Sequence, residues 1–195
     1  MTATNLPATS LPNTALLLID IQNDYFPGGA MELHQSEQAA AKAASVLRGF
    51  RRAGLPVIHV QHEMVGDRGF FLPGTEGQKI HASVTPEADE TVVVKNYPSS
   101  FLRTELDQLL EKQGVKHLVI VGMMTHMCVN TTVRAAAEHG YGVTLIGDAT
   151  ATRDLILDGE SVPAEHVQKA MLASVIGFFA EVTTADSFLQ QHNLI

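Results

Sequence analysis

The stretch from Lys116 to Gly140, KHLVIVGMMTHMCVNTTVRAAAEHG, changes its hydrophobic period midway, and that change restricts the folds open to the chain. It begins with Leu118, Val119, Ile120 and Val121, an unbroken apolar run rich in β-branched residues. Such a run predicts a short strand buried on both faces. Gly122 interrupts it. From Cys128 onward Val129, Thr132, Val133 and Ala136 recur at helical spacing, and Gly140 stands where a helix C′ residue is expected. A strand that passes directly into a helix is the unit from which parallel sheets with crossover helices are built.

The same alternation runs along the rest of the chain. Further strands are predicted at 15–19, 56–60, 91–94, 142–146 and 180–183, the third ending at Lys95. Helices are predicted at 36–53, 101–112, 163–175 and 185–191. Residues 61–90 have no clear period and hold Gly66, Gly69, Pro73, Gly74, Gly77 and Pro86. A loop that long inside a compact domain is usually functional. Residues 149–162 read as a second polar loop. The expectation is an α/β fold of three layers, α/β/α, around a six-stranded parallel sheet with right-handed crossovers, Rossmann-like in its winding. One domain is expected over 1–195, with 1–13 as a loose lead-in containing two prolines.

Composition narrows the partners. The formal net charge is -8, and no basic cluster exceeds Arg51-Arg52, so nucleic acid is not expected as a partner. The lone cysteine, Cys128, cannot form an internal disulfide, which points to a reducing compartment. No apolar run is long enough to span a bilayer, and the first residues lack the charged and apolar regions of a signal peptide. A cytoplasmic protein with no membrane role is expected.

In parallel α/β sheets ligands bind at the carboxyl ends of the strands. Asp20, Lys95 and Cys128 lie at or just beyond the ends of the first, third and fourth predicted strands. Cys128 falls near a helix start, where the macrodipole and unpaired N–H groups favour thiolate. Asp20 can take a thiol proton, and Lys95 can hold Asp20 and stabilise developing charge. Each has a plainer alternative: a small buried hydrophobe for Cys128, a strand-end or capping carboxylate for Asp20, and a surface lysine for Lys95. Convergence of all three at one sheet edge favours chemistry. Around them, Gln22 and Asn23 are candidates to orient Asp20. Phe26, His62, Phe70 and Tyr97 are candidates to contact substrate, with Phe71 as a further wall, although an aromatic is more often plain core. Thr132 is expected to bond backward to a carbonyl, and Arg134 to pair with Asp148 as scaffold.

Three blocks, LLLIDIQNDYF, VVVKNYPSSF and LVIVGMMTHMCVNTTVRAAAEHGYGVTLIGDATAT, resemble in order and spacing the signature blocks of the isochorismatase-like cysteine hydrolase superfamily. The likeness covers nearly the whole chain. It implies the fold inferred above and a triad of Asp20, Lys95 and Cys128. It also implies a cis peptide at Met123-Met124, an oxyanion hole from the N–H groups of Met124 and Cys128, a homo-oligomer, and no organic cofactor. The implied activity is hydrolysis of a small-molecule C–N bond (amide, carbamoyl or ureido) through a thioester acyl-enzyme. Two alternatives stay open. One is isochorismatase-type hydrolysis of a vinyl ether, which in the family does not depend on the cysteine. The other is a non-hydrolytic small-molecule-binding or thiol-reactive protein on the same scaffold. The nicotinamidase branch binds metal through Asp-x-His and a further His. Here HVQHEMVGD supplies His59 and His62 without that Asp, so no metal is expected.

Overall fold

In the computed structural model, residues 11–195 are described. Eight strands form: β1 Thr14–Ile19, β2 Val57–His62, β3 Thr91–Lys95, β4 His117–Met123, β5 Gly142–Ala151, β6 Leu155–Leu157, β7 Glu160–Val162 and β8 Glu181–Thr183. Five α-helices accompany them: α1 Ser36–Arg52, α2 Leu106–Lys112, α3 Asn130–Glu138, α4 Ala164–Ala173 and α5 Ala185–Gln191. Six strands make one sheet in the order β3-β2-β1-β4-β5-β8, with every pairing parallel. The three-layer α/β/α architecture follows from the apolar runs. In β1, Leu16 and Leu18 face the layer of α1 and α5, while Ala15, Leu17 and Ile19 face the layer of α2 and α3. A strand with partners on both faces has no use for polar alternation, which is why the run is unbroken. Each of Leu16, Leu17, Leu18 and Ile19 is at most 1% exposed, and each such burial contributes about 2 kcal/mol.

Strand order reverses between β1 and β4, the two central strands. At such a switch point the loops leaving neighbouring strands diverge to opposite faces and open a crevice. Gly122, near the end of β4, sits at φ +132°, and a Cβ there would collide with the carbonyl oxygen of Ile19 in β1. The β4–β5 register shifts between Ile120 and Gly122. This glycine lets the two central strands close up where the crevice begins.

Several boundaries differ from the sequence expectation. The helix expected over 101–112 begins only at Leu106. Thr104 Oγ1 donates to Ser100 O at 2.6 Å and accepts from Leu106 N at 3.3 Å, and Arg103 has φ +57°. These local bonds compete with a helical first turn. Residues 149–162 are not a loop: β5 continues to Ala151, and β6 and β7 form an antiparallel hairpin. Its turn is Asp158-Gly159, both with positive φ (52° and 84°), the Asp-Gly signal of a tight hairpin. His62 is the last residue of β2 rather than a residue beyond it. Arg134 does not pair with Asp148. It bonds Asn130 Oδ1 at 2.9 Å and Ser174, while Asp148 Oδ1 accepts from Ala185 N at 2.8 Å. Thr132 bonds across to Ser100, accepting from its N–H at 3.0 Å, instead of backward along its own helix. Of the expected lead-in, residues 1–10 lie outside the described residues. Leu11 is buried in the core, and Asn13 O accepts from the N–H groups of Lys116 and His117, so the end of that segment is anchored.

The segment from 63 to 90 is tied down at both ends. At its far end Glu90 receives Arg51 Nε and Nη2, each at 2.7 Å, and His59 Nε2 lies 2.9 Å from the same carboxylate. Burial alone would raise the pKa of Glu90. Hydrogen bonds from Arg51, the Glu87 N–H and His59 outweigh it and lower the value to about 2. A depressed carboxylate contributes stability that is present above its unfolded pKa and lost as pH falls through the folded one. Unfolding by urea is therefore expected to show a loss between about pH 4.5 and 2 that Glu90→Gln removes. At pH 7, Glu90→Gln is expected to cost about 1–2 kcal/mol, because Arg51 loses its charge-assisted bonds to Glu90 but keeps Glu87 and Thr85 O as partners.

Candidate active site

Asp20 leaves β1 with φ +51° and is fully buried. Cys128 follows β4 on the opposite side of the switch point, in a π-type turn spanning Thr125–Val129 that leads into α3. The Met123-Met124 peptide before that turn is cis. Lys95 ends β3, two strands from β1. At about 4.8 Å per strand its chain must cross the end of β2 to reach Asp20, and it does: Lys95 Nζ lies 2.8 Å from Asp20 Oδ2, with both side chains at 0% exposure. The donor atoms of Asp20, His62 and Cys128 lie within 4.8 Å of one another. The three residues singled out at distant strand ends thus share one buried cluster.

The charges in the cluster are arranged for proton movement. Burial works against a charged Lys95, but Asp20 and Cys128 overcome it and hold its pKa above the ordinary lysine value. Burial and the Asp20 carboxylate push the Cys128 thiol well above its ordinary range, and Lys95 opposes this without prevailing. Burial and the carboxylate both act against the thiolate that a helix start by itself would favour. A helix terminus helps an exposed thiol, yet here desolvation and a facing carboxylate dominate. Neither oxygen of Asp20 accepts a well-directed hydrogen bond among the described residues; the Lys95 contact is an ion pair. Oδ2 faces the Lys95 ammonium, and Oδ1, which has no partner among the described residues, is available to a proton from the thiol beside it.

The expected wall residues divide. Lys95 Nζ donates to His62 Nδ1 at 2.9 Å and to the carbonyl oxygen of Tyr97 at 3.1 Å. The Tyr97 ring is 38% exposed and accepts from Arg103 Nη1 through its hydroxyl, so it stands at the rim. Phe26 stacks on His81 with centroids 3.6 Å apart. Phe70 and Phe71 pack around Tyr25, and Phe71 lies 6.0 Å from His62. Sequence reasoning missed Tyr25. It is 1% exposed, and its hydroxyl pKa is raised by burial first, then by Asp20 and Cys128. In the block QNDYF it is the one aromatic with a polar handle, and that is the signal that marks it.

Gln22, Asn23 and Asp24 serve the loop that covers the cluster rather than Asp20 itself. Gln22 Nε2 donates to His62 O at 2.9 Å and Gln78 O at 2.6 Å, and its Oε1 accepts from His62 N at 2.8 Å. Asn23 Nδ2 donates to Glu76 O. Asp24 accepts from Phe71 N at 2.6 Å and Ala30 N at 3.1 Å. Gly77 lies against this carboxylate so closely that a Cβ would collide with it. These bonds hold Tyr25, Phe70 and Phe71 in place. A cleft of about 560 Å³ between α1 and α4 includes none of the triad residues and is not the candidate site.

For a metal, the donor set is Asp20, His62 and Cys128. The ammonium of Lys95 already lies against two of the three, at 2.8 and 2.9 Å. A divalent cation would have to displace it or sit beside its charge. His59, the other expected histidine, is occupied by Glu90.

A parallel sheet with a buried carboxylate, ammonium and thiol in contact at its switch point defines an α/β protein with a built chemical site. The isochorismatase domain model matches residues 14–187, and the chain belongs to the isochorismatase family of hydrolases. It is 52% identical to the uncharacterized isochorismatase family protein YddQ of Bacillus subtilis over 91% of this chain and 99% of that protein. A crystal structure from Oleispira antarctica, provisionally described as an isochorismatase hydrolase, superposes with a TM-score of 0.89 at 43% identity, covering 96% of this chain and all of the other. More distantly, the ureidoacrylate amidohydrolase RutB of Caulobacter vibrioides is 28% identical over 90% of this chain and 89% of its own length. Among the described residues no helix is long and apolar enough to cross a membrane.

Proposed function

We propose that the chain hydrolyses a C–N bond of a small amide, carbamoyl or ureido compound through a thioester on Cys128. One observation carries the reading: a buried thiol faces a carboxylate with one oxygen free of partners among the described residues, and both contact one ammonium group. Asp20 takes the thiol proton as sulfur bonds to the substrate carbonyl carbon. The carbonyl oxygen becomes an oxyanion held by the N–H groups of Met124 and Cys128. Collapse breaks the C–N bond, and Asp20 passes its proton to the leaving nitrogen. Water, deprotonated by Asp20, attacks the thioester; the acid leaves, and Cys128 recovers a proton. Lys95 stays charged throughout and steadies Asp20 and the sulfur. Similarity to an amidohydrolase agrees with this chemistry.

The second reading is hydrolysis of a vinyl ether, as the family name suggests. That reaction gives the thiol nothing to do. The test is a panel of small amides, carbamoyl compounds and ureides assayed for ammonia or amine, with isochorismate assayed for pyruvate. Ammonia or amine release supports the proposal, whereas pyruvate release from isochorismate alone sinks it. Exhaustive chelation, with metal content measured on the same sample, is expected to leave turnover unchanged because Lys95 supplies the positive charge at the cluster. Loss that returns on adding zinc, iron or manganese would show that a metal takes part.

A further inference from the structure

His62 was expected to touch substrate. Its ring meets Lys95. The two residues are register partners at the ends of adjacent parallel strands, so the Lys95 chain must pass over His62 on its way to Asp20. There Nζ donates to His62 Nδ1 at 2.9 Å. The His62 backbone is itself held on both sides by Gln22, whose amide accepts from its N–H and donates to its C=O. Lys95 thus has two hydrogen-bond acceptors, the His62 ring and the Tyr97 carbonyl, and an ion-pair partner in the Asp20 carboxylate. An ammonium on a flexible stem is fixed in place by its partners, here two hydrogen bonds and one ion pair.

We propose that neutral His62 is a positioning residue for Lys95, accepting one ammonium proton and holding that charge where Asp20 and Cys128 share it. The proposal rests on the reading above for the use made of Lys95, but the contact stands by itself. It requires Nδ1 to be unprotonated, so the ring proton sits on Nε2. An imidazolium would aim an N–H at the ammonium. The charged and titratable groups facing the ring are Lys95 on β3, Asp20 after β1 and Cys128 in the turn after β4. Burial, then Lys95, lowers the pKa of His62 below the ordinary value, and Asp20 opposes them. The arrangement therefore persists into mild acid.

Two variants test it. His62→Gln keeps a side-chain oxygen able to accept from Lys95 and does not titrate; His62→Leu fills similar space and accepts nothing. Cys128 alkylation by iodoacetamide at pH 8 needs no knowledge of the substrate. It is expected to slow about tenfold in His62→Leu, the loss typical of one hydrogen bond to a charged group, and by less than about threefold in His62→Gln. Nitrogen-15 NMR of the imidazole should show the Nε2–H tautomer, and Lys95→Met should raise the His62 pKa. Equal alkylation rates in the two variants would overturn the proposal, as would an Nδ1–H tautomer or a His62 pKa indifferent to Lys95→Met. Absence of any amide hydrolysis by the wild type would count against the proposed function alone, since neither arm depends on turnover.

Discussion

Cys128→Ala is expected to lower amide hydrolysis by about 10⁴-fold or more, as removal of a nucleophile does when no other group replaces it. The fold should survive. Cys128 is small and 5% exposed, and its turn is held by backbone bonds from Met127 and Val129 to Met124 O. Losing one buried sulfur costs about 1 kcal/mol, well within the stability of a domain this size. The comparison is turnover and melting temperature on the same preparations. With a slow substrate, mass spectrometry of the wild type should show an acyl adduct on Cys128. Because Asp20 is the group placed to take the thiol proton, the adduct should form slowly or not at all in Asp20→Asn. Near-normal turnover in the alanine variant would eliminate the thioester mechanism.

Asp20→Asn and Lys95→Met are each expected to lower activity by about 10³-fold or more. In Asp20→Asn the thiol loses its proton acceptor. In Lys95→Met the carboxylate loses its counter-ion, and the sulfur loses a charged group that favours its ionised form. Adding Cys128→Ala to either should cost little more, because the groups act as a unit. Both single variants should also melt lower, since each strands a fully buried charge and such a loss is worth about 3–5 kcal/mol. Circular dichroism at the assay temperature separates lost chemistry from lost structure. Losses that multiply in the double variants would show independent roles and dissolve the triad.

Much of the layer structure was legible because burial on both faces leaves a mark in one dimension. Ala15–Ile19 and Leu118–Val121 carry no polar alternation, and that suffices to place them in the centre of a parallel sheet. The ends of those two runs, with the end of the strand at 91–95, then point to Asp20, Cys128 and Lys95. Elements decided by local competition were read less well. Thr104 and Arg103 turned the expected start of α2 into a turn, and Asp158-Gly159 was a hairpin signal hidden inside a polar stretch.

Order along the chain determined which residues could meet, since strands alternating with helices bring their carboxyl ends to one edge. Tertiary structure alone decided how they meet. Whether Cys128 rests as thiol or thiolate depends on water being excluded and on Asp20 facing it, and neither is written in the spacing of the chain. The role of His62 depends on β2 lying between β3 and β1, which interposes its ring in the path of Lys95. Strand order is a long-range choice made by the packing of whole layers, and a local pattern of apolar residues is the same on either side of a neighbour.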